Sequence, residues 1–113
     1  MAVLIERKPW LALDEWRGKM FTGDWPTLPQ LFFISAARFA GRPCFTDFEG
    51  EGASKNTLTY EQVAKKIKQL SKWMTANGIK KGDHIAVTGK NSPEWAITFL
   101  AAQNASAVII PID

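Results

Sequence analysis

Gly89 and Lys90 are the residues whose types and position come closest to a phosphate-binding site. They follow an apolar strand-like run and precede a capped helix, and helix N-termini favour anions. A phosphate-binding P-loop, however, needs Gly, four residues, then Gly-Lys and a hydroxyl residue that ligates magnesium. Six residues separate Gly82 from Gly89 here, and Asn91 follows Lys90. The spacing therefore favours an ordinary strand-to-helix loop over phosphate binding.

The remaining reactive side chains do not form a recognisable catalytic or metal-binding set. The single cysteine, Cys44, excludes an internal disulfide, and with the single histidine, His84, it excludes a Cys/His zinc cluster. His84 lies beside a turn at the start of a strand, which favours a structural role. Asp47, Glu49 and Glu51 lie near a polar turn and do not suggest an acid/base pair. We therefore assign no catalytic, cofactor-binding or metal-ligating residue.

Composition restricts the function classes further. The 113 residues are 46% hydrophobic and 22% charged, which is typical of one globular domain. A net charge of +3 is too small to indicate nucleic-acid binding. The N-terminus does not match a secretory signal, and no apolar run reaches the length of a membrane span. With a single cysteine, these features predict a cytoplasmic setting.

Two amphipathic helices are predicted, near residues 27–40 and 59–77. Each begins with a capping box, formed by Thr27 with Gln30 and by Thr59 with Gln62. Gly41 is expected to end the first helix, and Gly78 the second. In the second helix the apolar residues form one stripe, and three lysines at helical spacing lie on the opposite side of the helix. These lysines, Lys65, Lys68 and Lys72, could bind phosphates, but a solvated face is the favoured interpretation.

The other elements indicate an α/β fold. Residues near 44–58 read as a short β-hairpin, and residues 84–112 read as a βαβ unit whose helix is capped by Ser92. The continuous apolar run at residues 108–110 is typical of a parallel strand covered on both faces. A monomer of this length would leave that strand partly exposed, which predicts poor solubility or a homo-oligomer.

Residues 1–25 form a Trp-rich arm that precedes the domain portion at residues 26–113. Trp10, Trp16 and Trp25 alternate there with aliphatic residues, Pro9 and Gly18. The favoured interpretation is an arm that packs its rings on the body of the protein. The alternative is a peripheral contact with a membrane surface, because aromatic residues near Arg and Lys suit such an interface.

Three blocks of sequence, taken in order, resemble the N-terminal part of the adenylate-forming (AMP-binding) superfamily, most closely its long-chain acyl-CoA synthetases. Residues 24–31, DWPTLPQL, are similar to the opening helix block of fatty-acid–CoA ligases. Residues 58–83 begin with LTYEQV and end with GIKKGD, similar to the family's TYxEL and LGVxxGD. Residues 91–113 run from NSPEW through FLAA to AVIIPID, similar to the family's NSPE(F/W) and FLAALKAGAVVVPLN. From first to last, the blocks span residues 24–113, about four fifths of the chain.

The resemblance implies a two-step ligase reaction in a parent enzyme. ATP and a fatty acid give an acyl-adenylate and pyrophosphate with the help of Mg²⁺, and coenzyme A then takes the acyl group as a thioester. The family uses a Ser/Thr/Gly-rich phosphate loop, an adenine- and ribose-binding set and a lysine of a C-terminal domain. None of these matches residues 1–113, so the resemblance transfers no catalytic residue. It implies a scaffold that is truncated at its C-terminal end and inactive alone, with the remainder of the parent enzyme as its partner.

One position departs from the family pattern, and one alternative stays open. The family usually has glycine before the final Ala-Val strand, where this chain has Ser106. The alternative function is a standalone small protein that keeps the scaffold as an interaction or regulatory module without catalysis. Acyl chain length, and coenzyme A against a carrier protein as the acceptor, are not determined by these residues.

Overall fold

The fold consists of three helices and two small sheets. The computed structural model describes residues 26–48 and 56–113, so the Trp-rich arm, Glu49 and Glu51 lie outside the described residues. The predicted α/β class, with a hairpin, two capped helices and a βαβ unit, is confirmed. In chain order the elements are α1 (Leu28–Arg38), β1 (Pro43–Asp47), β2 (Asn56–Thr59), α2 (Tyr60–Ala76), β3 (His84–Thr88), α3 (Pro93–Asn104) and β4 (Val108–Ile112).

The helix starts are determined locally, as predicted. The Gln30 amide donates to Thr27 Oγ1 at 3.3 Å, and the Thr27 amide donates to Gln30 Oε1 at 2.9 Å. Thr59 and Gln62 repeat the pair at 3.2 and 2.9 Å, so both capping boxes are complete. Each box satisfies donors that a helix N-terminus otherwise leaves unpaired.

Helix α1 ends at Arg38, before the glycine that the sequence suggests as its stop. Its cap, Phe39, has φ −122° and ψ 30°. The chain turns there because the next carbonyls serve the start of α2. Ala40 O accepts from the Glu61 amide and Arg42 O accepts from the Tyr60 amide, both at 3.0 Å. This long-range pairing, and not Gly41, determines where α1 ends.

Helices α2 and α3 end in the same Schellman geometry with different residues at the left-handed position. After α2 that residue is Gly78, at φ 94°, and the Ile79 amide donates to Met74 O at 3.0 Å. After α3 it is Ser106, at φ 63°, the only non-glycine residue with positive φ among the described residues. This backbone conformation explains why the family pattern has glycine at the position of Ser106, since glycine adopts it without a steric penalty.

Both sheets have two strands among the described residues. β1 and β2 are antiparallel, with Thr46 opposite Thr57 and their hydroxyls 3.0 Å apart. β3 and β4 are parallel, with Ile85 opposite Ile109. Because α3 connects β3 to β4 and packs on both, residues 84–112 form the predicted βαβ unit.

The core lies between α2 and α3. Val63 and Ile67 of α2 and Ala101 of α3 are completely buried. Small alanine side chains on α3 let the two helices approach closely. One polar pair crosses this contact, because Asn104 Nδ2 donates to the buried Ser71 Oγ at 2.8 Å. Ser71 Oγ donates in turn to Lys68 O at 3.1 Å, so the buried hydroxyl is satisfied. No helix of the described residues is long and apolar enough to cross a membrane.

Candidate functional site

The turn of residues 89–92 lies at the carboxyl end of β3, where open α/β sheets commonly bind ligands. Gly89 has φ 145°, which favours glycine, and Ser92 is the N-cap of α3. A shallow cavity of about 240 Å³ opens beside the turn. It is lined by Val87, Thr88, Gly89, Lys90, Ser92, Glu94, Trp95 and Thr98.

Two of the first positions of α3 offer no free amide to an anion. Pro93 has no N–H, and the Trp95 amide already donates to Ser92 Oγ at 3.2 Å. Glu94 places a carboxylate in the first turn of α3, which opposes a bound anion. These features fit a helix cap and do not form a cradle for a nucleotide phosphate.

The other reactive residues lie apart from one another. His84 is exposed at the start of β3 and pairs with Val108 across the sheet. Cys44 lies in β1, where desolvation by partial burial raises the pKa of its thiol and keeps it protonated. Asp47 ends β1 opposite Asn56. Within residues 26–48 and 56–113, no group of three His, Cys, Asp or Glu side chains could hold a metal ion.

The most distinctive surface is the outward face of the β3–β4 sheet. Val108, Ile110 and Ile112 are 46%, 41% and 50% exposed, and their alternation places them on one face. Ala86 of β3 pairs with Ile110 on the same face. The inward side chains, Val87 and Ile109, face α3 and the core. We call the outward side chains of β3 and β4 the apolar sheet face.

The sequence predicts that β4 is covered on both faces, and the described residues cover only one. Helix α3 packs on the inward face, and no described element packs on the apolar sheet face. Among the described residues each strand also has one unpaired edge. Unpaired edges and exposed aliphatic residues favour pairing with further strands. This surface is suited to docking, and His84, which pairs with Val108, is the one titratable side chain that β3 and β4 place on it.

A second apolar surface lies between α1, the hairpin and α3. It is a groove of about 500 Å³ beneath exposed Leu28 and Leu31. Trp95 and Phe99 form part of its floor, with their rings stacked at 5.4 Å between centroids. Its lining is almost entirely apolar, so the groove, like the sheet face, is suited to packing.

The sequence analysis did not identify Trp73, which is 61% exposed on α2. This residue lies outside the apolar stripe of that helix and two turns after Lys66. Its exposure could have been predicted, because a large aromatic residue that lies outside the apolar stripe and among lysines is a visible signal in the sequence.

Comparison with known proteins places these surfaces in context. Residues 32–113 match the family described as AMP-binding enzyme. The 4-coumarate–CoA ligase CCL1 of Humulus lupulus is 34% identical over 77 residues, covering 68% of this chain and 13% of that protein. The long-chain-fatty-acid–CoA ligase ACSBG2 of Mus musculus is 29% identical over 86 residues, covering 76% of this chain and 13% of that protein.

A solved structure supports the same assignment. The N-terminal subdomain of Klebsiella oxytoca NpsA, in complex with anthranilyl-AMSN, superposes with a TM-score of 0.71 and 26% identity. The match covers 80% of this chain and 22% of that subdomain. The chain thus matches about one eighth of the length of each of the two relatives. Since the family description matches well over half of its residues, this chain belongs to the AMP-binding enzyme family and has part of the fold of an adenylate-forming N-terminal subdomain.

Proposed function

We propose that the chain is the N-terminal scaffold of an ATP-dependent long-chain fatty-acid–CoA ligase and performs no catalysis alone. The observation that carries this proposal is the apolar sheet face on a chain that spans only 13% of its ligase relatives. Family relatives extend well beyond these residues, and additional strands would cover this face. The remainder of the ligase is then the partner of the chain.

The described residues do not fit the cofactors that the family implies. They contain no metal-ligating cluster of His, Cys, Asp or Glu for Mg²⁺, and Ser92 of the 89–92 turn caps α3 by accepting from the Trp95 amide. Binding of ATP, Mg²⁺ and coenzyme A is therefore assigned to the remainder of the ligase, and no reaction step is derived through them. The role of residues 26–113 is to hold one part of the large domain in place.

The choice of a long-chain fatty acid rests on sequence. The block pattern of residues 24–113 resembles that class, and the mouse long-chain ligase matches over 86 residues. A hydroxycinnamate such as 4-coumarate is the competing substrate class, because the hop ligase matches at 34% identity. The two classes differ in shape and are readily separated by assay.

The first test is to sequence the DNA beyond codon 113 in its native locus. The proposal expects the reading frame to continue into a Ser/Thr/Gly-rich loop ending in Pro-Lys-Gly. A stop codon directly after Asp113, together with a cooperative melt of a monomeric chain, would instead establish the standalone interaction module.

The second test is enzymatic. The purified 113-residue chain is expected to give no fatty-acid-dependent ATP–pyrophosphate exchange, and the complete ligase is expected to give it with palmitate. Exchange by the chain alone would refute the scaffold role. Exchange by the complete ligase with 4-coumarate but not with palmitate would refute the substrate class while leaving the scaffold role intact.

A further inference from the structure

The outward face of α2 combines a large aromatic side chain with lysines. Trp73 is 61% exposed, and Ile67 and Met74 are buried on the opposite side of the helix. Helical periodicity places Lys66 two turns before Trp73 and Lys65 two turns before Lys72, all on the outward side. We call Lys65, Lys66, Lys72 and Trp73 the Lys–Trp face.

The three lysines form no ion pair within the described part of the chain, so their positive charge is only partly offset by nearby carboxylates. None of the three lysines has a carboxylate within ion-pair distance among residues 26–48 and 56–113. Two carboxylates lie nearby without forming an ion pair: Glu61 is one turn before Lys65 on α2, and Glu94 lines the same shallow cavity as Lys66. Lys68 lies apart from the face, because its Nζ is 5.0 Å from the centre of the Phe33 ring on α1.

This face is also suited to remain accessible in a larger protein. Lysines are almost never fully buried, so a surface with three of them stays in contact with water or with anions. The apolar sheet face and the apolar groove, in contrast, are the surfaces that need apolar cover. The Lys–Trp face therefore differs from them in its chemistry and in the partner it favours.

We propose that the Lys–Trp face binds an anionic lipid surface. An exposed indole places its apolar body at the acyl boundary and its N–H among the headgroups. Each lysine near such a surface contributes about fivefold in affinity. Single-stranded nucleic acid fits less well, because it is held by several stacked aromatic side chains and this face provides one. The proposal depends on α2 alone and not on the proposed ligase function.

The test is sedimentation of the 113-residue chain with vesicles at low salt. Vesicles of equal parts phosphatidylglycerol and phosphatidylcholine are expected to bind the chain far better than phosphatidylcholine alone. The neutral vesicles measure any contribution of the apolar sheet face. The combined variant Lys65→Gln, Lys66→Gln and Lys72→Gln is expected to weaken anionic binding roughly 100-fold. Trp73→Ser is expected to weaken it about tenfold.

A matched control removes the same charge from other elements. The control variant combines Arg42→Gln, Lys81→Gln and Lys90→Gln. It is expected to weaken vesicle binding no more than about threefold, through the reduced long-range electrostatic attraction of the whole protein. All substituted side chains are exposed, so circular dichroism is expected to show unchanged helix content in every variant.

Three results would overturn the proposal. Equal binding to neutral and anionic vesicles would assign adsorption to the apolar sheet face. An equal loss in the control variant would show that net charge alone is responsible. Binding of a single-stranded DNA oligonucleotide that disappears in the lysine variant, without vesicle binding, would assign the face to nucleic acid.

Discussion

Replacing Ser106 with glycine is expected to stabilise the protein, because the structure holds this residue in the left-handed region at φ 63°. The conformation is imposed by several hydrogen bonds at once. The Ala107 amide donates to Ala102 O at 3.0 Å, and the Ser106 amide donates to Gln103 O at 2.9 Å. Ser106 O also accepts from the Gly82 amide at 2.9 Å, which ties the end of α3 to the turn before β3. The residue cannot leave this region without breaking these bonds.

Two opposing effects determine how much Ser106→Gly changes the free energy of unfolding. The left-handed conformation costs an L-residue about 1–2 kcal/mol, and glycine avoids this cost. Glycine gives the unfolded chain more freedom, which opposes folding by about 0.4–1 kcal/mol. The Ser106 hydroxyl makes no hydrogen bond to a described residue, so no side-chain contact is lost. Ser106→Gly is therefore expected to raise the free energy of unfolding by roughly 0.5–1 kcal/mol.

The chain contains its own matched control at Gly78. This residue holds the equivalent position after α2, at φ 94°, with open space around the place of a Cβ atom. Gly78→Ser therefore tests the backbone cost without a steric clash, and we expect a loss of about 1 kcal/mol. Urea unfolding followed by far-ultraviolet circular dichroism measures both changes. A neutral or destabilising effect of Ser106→Gly, with Gly78→Ser costing the expected amount, would refute the assigned strain.

Three substitutions and one chemical modification test other parts of the structure. Thr59→Ala removes the cap of α2 and is expected to cost about 1 kcal/mol in urea unfolding, with Thr57→Ala on the exposed part of the hairpin as a milder control. Ile67→Ala empties a fully buried site and is expected to cost about 2–5 kcal/mol; a cost below about 1 kcal/mol would contradict the described core. Ile110→Lys on the apolar sheet face is expected to shift sedimentation velocity toward the monomer with little change in stability, and unchanged self-association would show that another surface mediates it. Since burial raises the pKa of Cys44, its alkylation by iodoacetamide near neutral pH is expected to be slower than that of the urea-unfolded chain and to accelerate as pH rises.

Sequence predicted the features that depend on neighbouring residues. The caps at Thr27, Thr59 and Ser92 lie within three residues of the amides they satisfy, so their spacing is visible in the chain. Alternation and apolar content likewise revealed the hairpin and the βαβ unit. The exposed face of β4 could also be expected, because a strand this apolar needs more cover than these residues provide.

Features that depend on distant residues were less accessible to sequence. The end of α1 is determined by the amides of Tyr60 and Glu61, about twenty positions later in the chain. Gly41, three residues after Arg38, is a weaker signal for the end of this helix than that pairing. The left-handed backbone at Ser106 is also hidden, because serine has no preference for it. Only the family pattern, which has glycine at this position, indicated that the backbone there is unusual.

Many polar groups of the described residues satisfy one another within the scaffold, and this is why the proposed function places the chemistry in other residues. At the start of each helix, backbone amides that could bind a phosphate donate instead to a threonine, glutamine or serine side-chain oxygen. The buried hydroxyl of Ser71 is satisfied between α2 and α3, so it cannot act on a substrate without loosening the core. Besides the Lys–Trp face, the described residues leave apolar surface exposed on the sheet and in the groove, which favours packing. Under the proposed function, the charged groups that an adenylate-forming reaction needs around a triphosphate come from residues outside this scaffold.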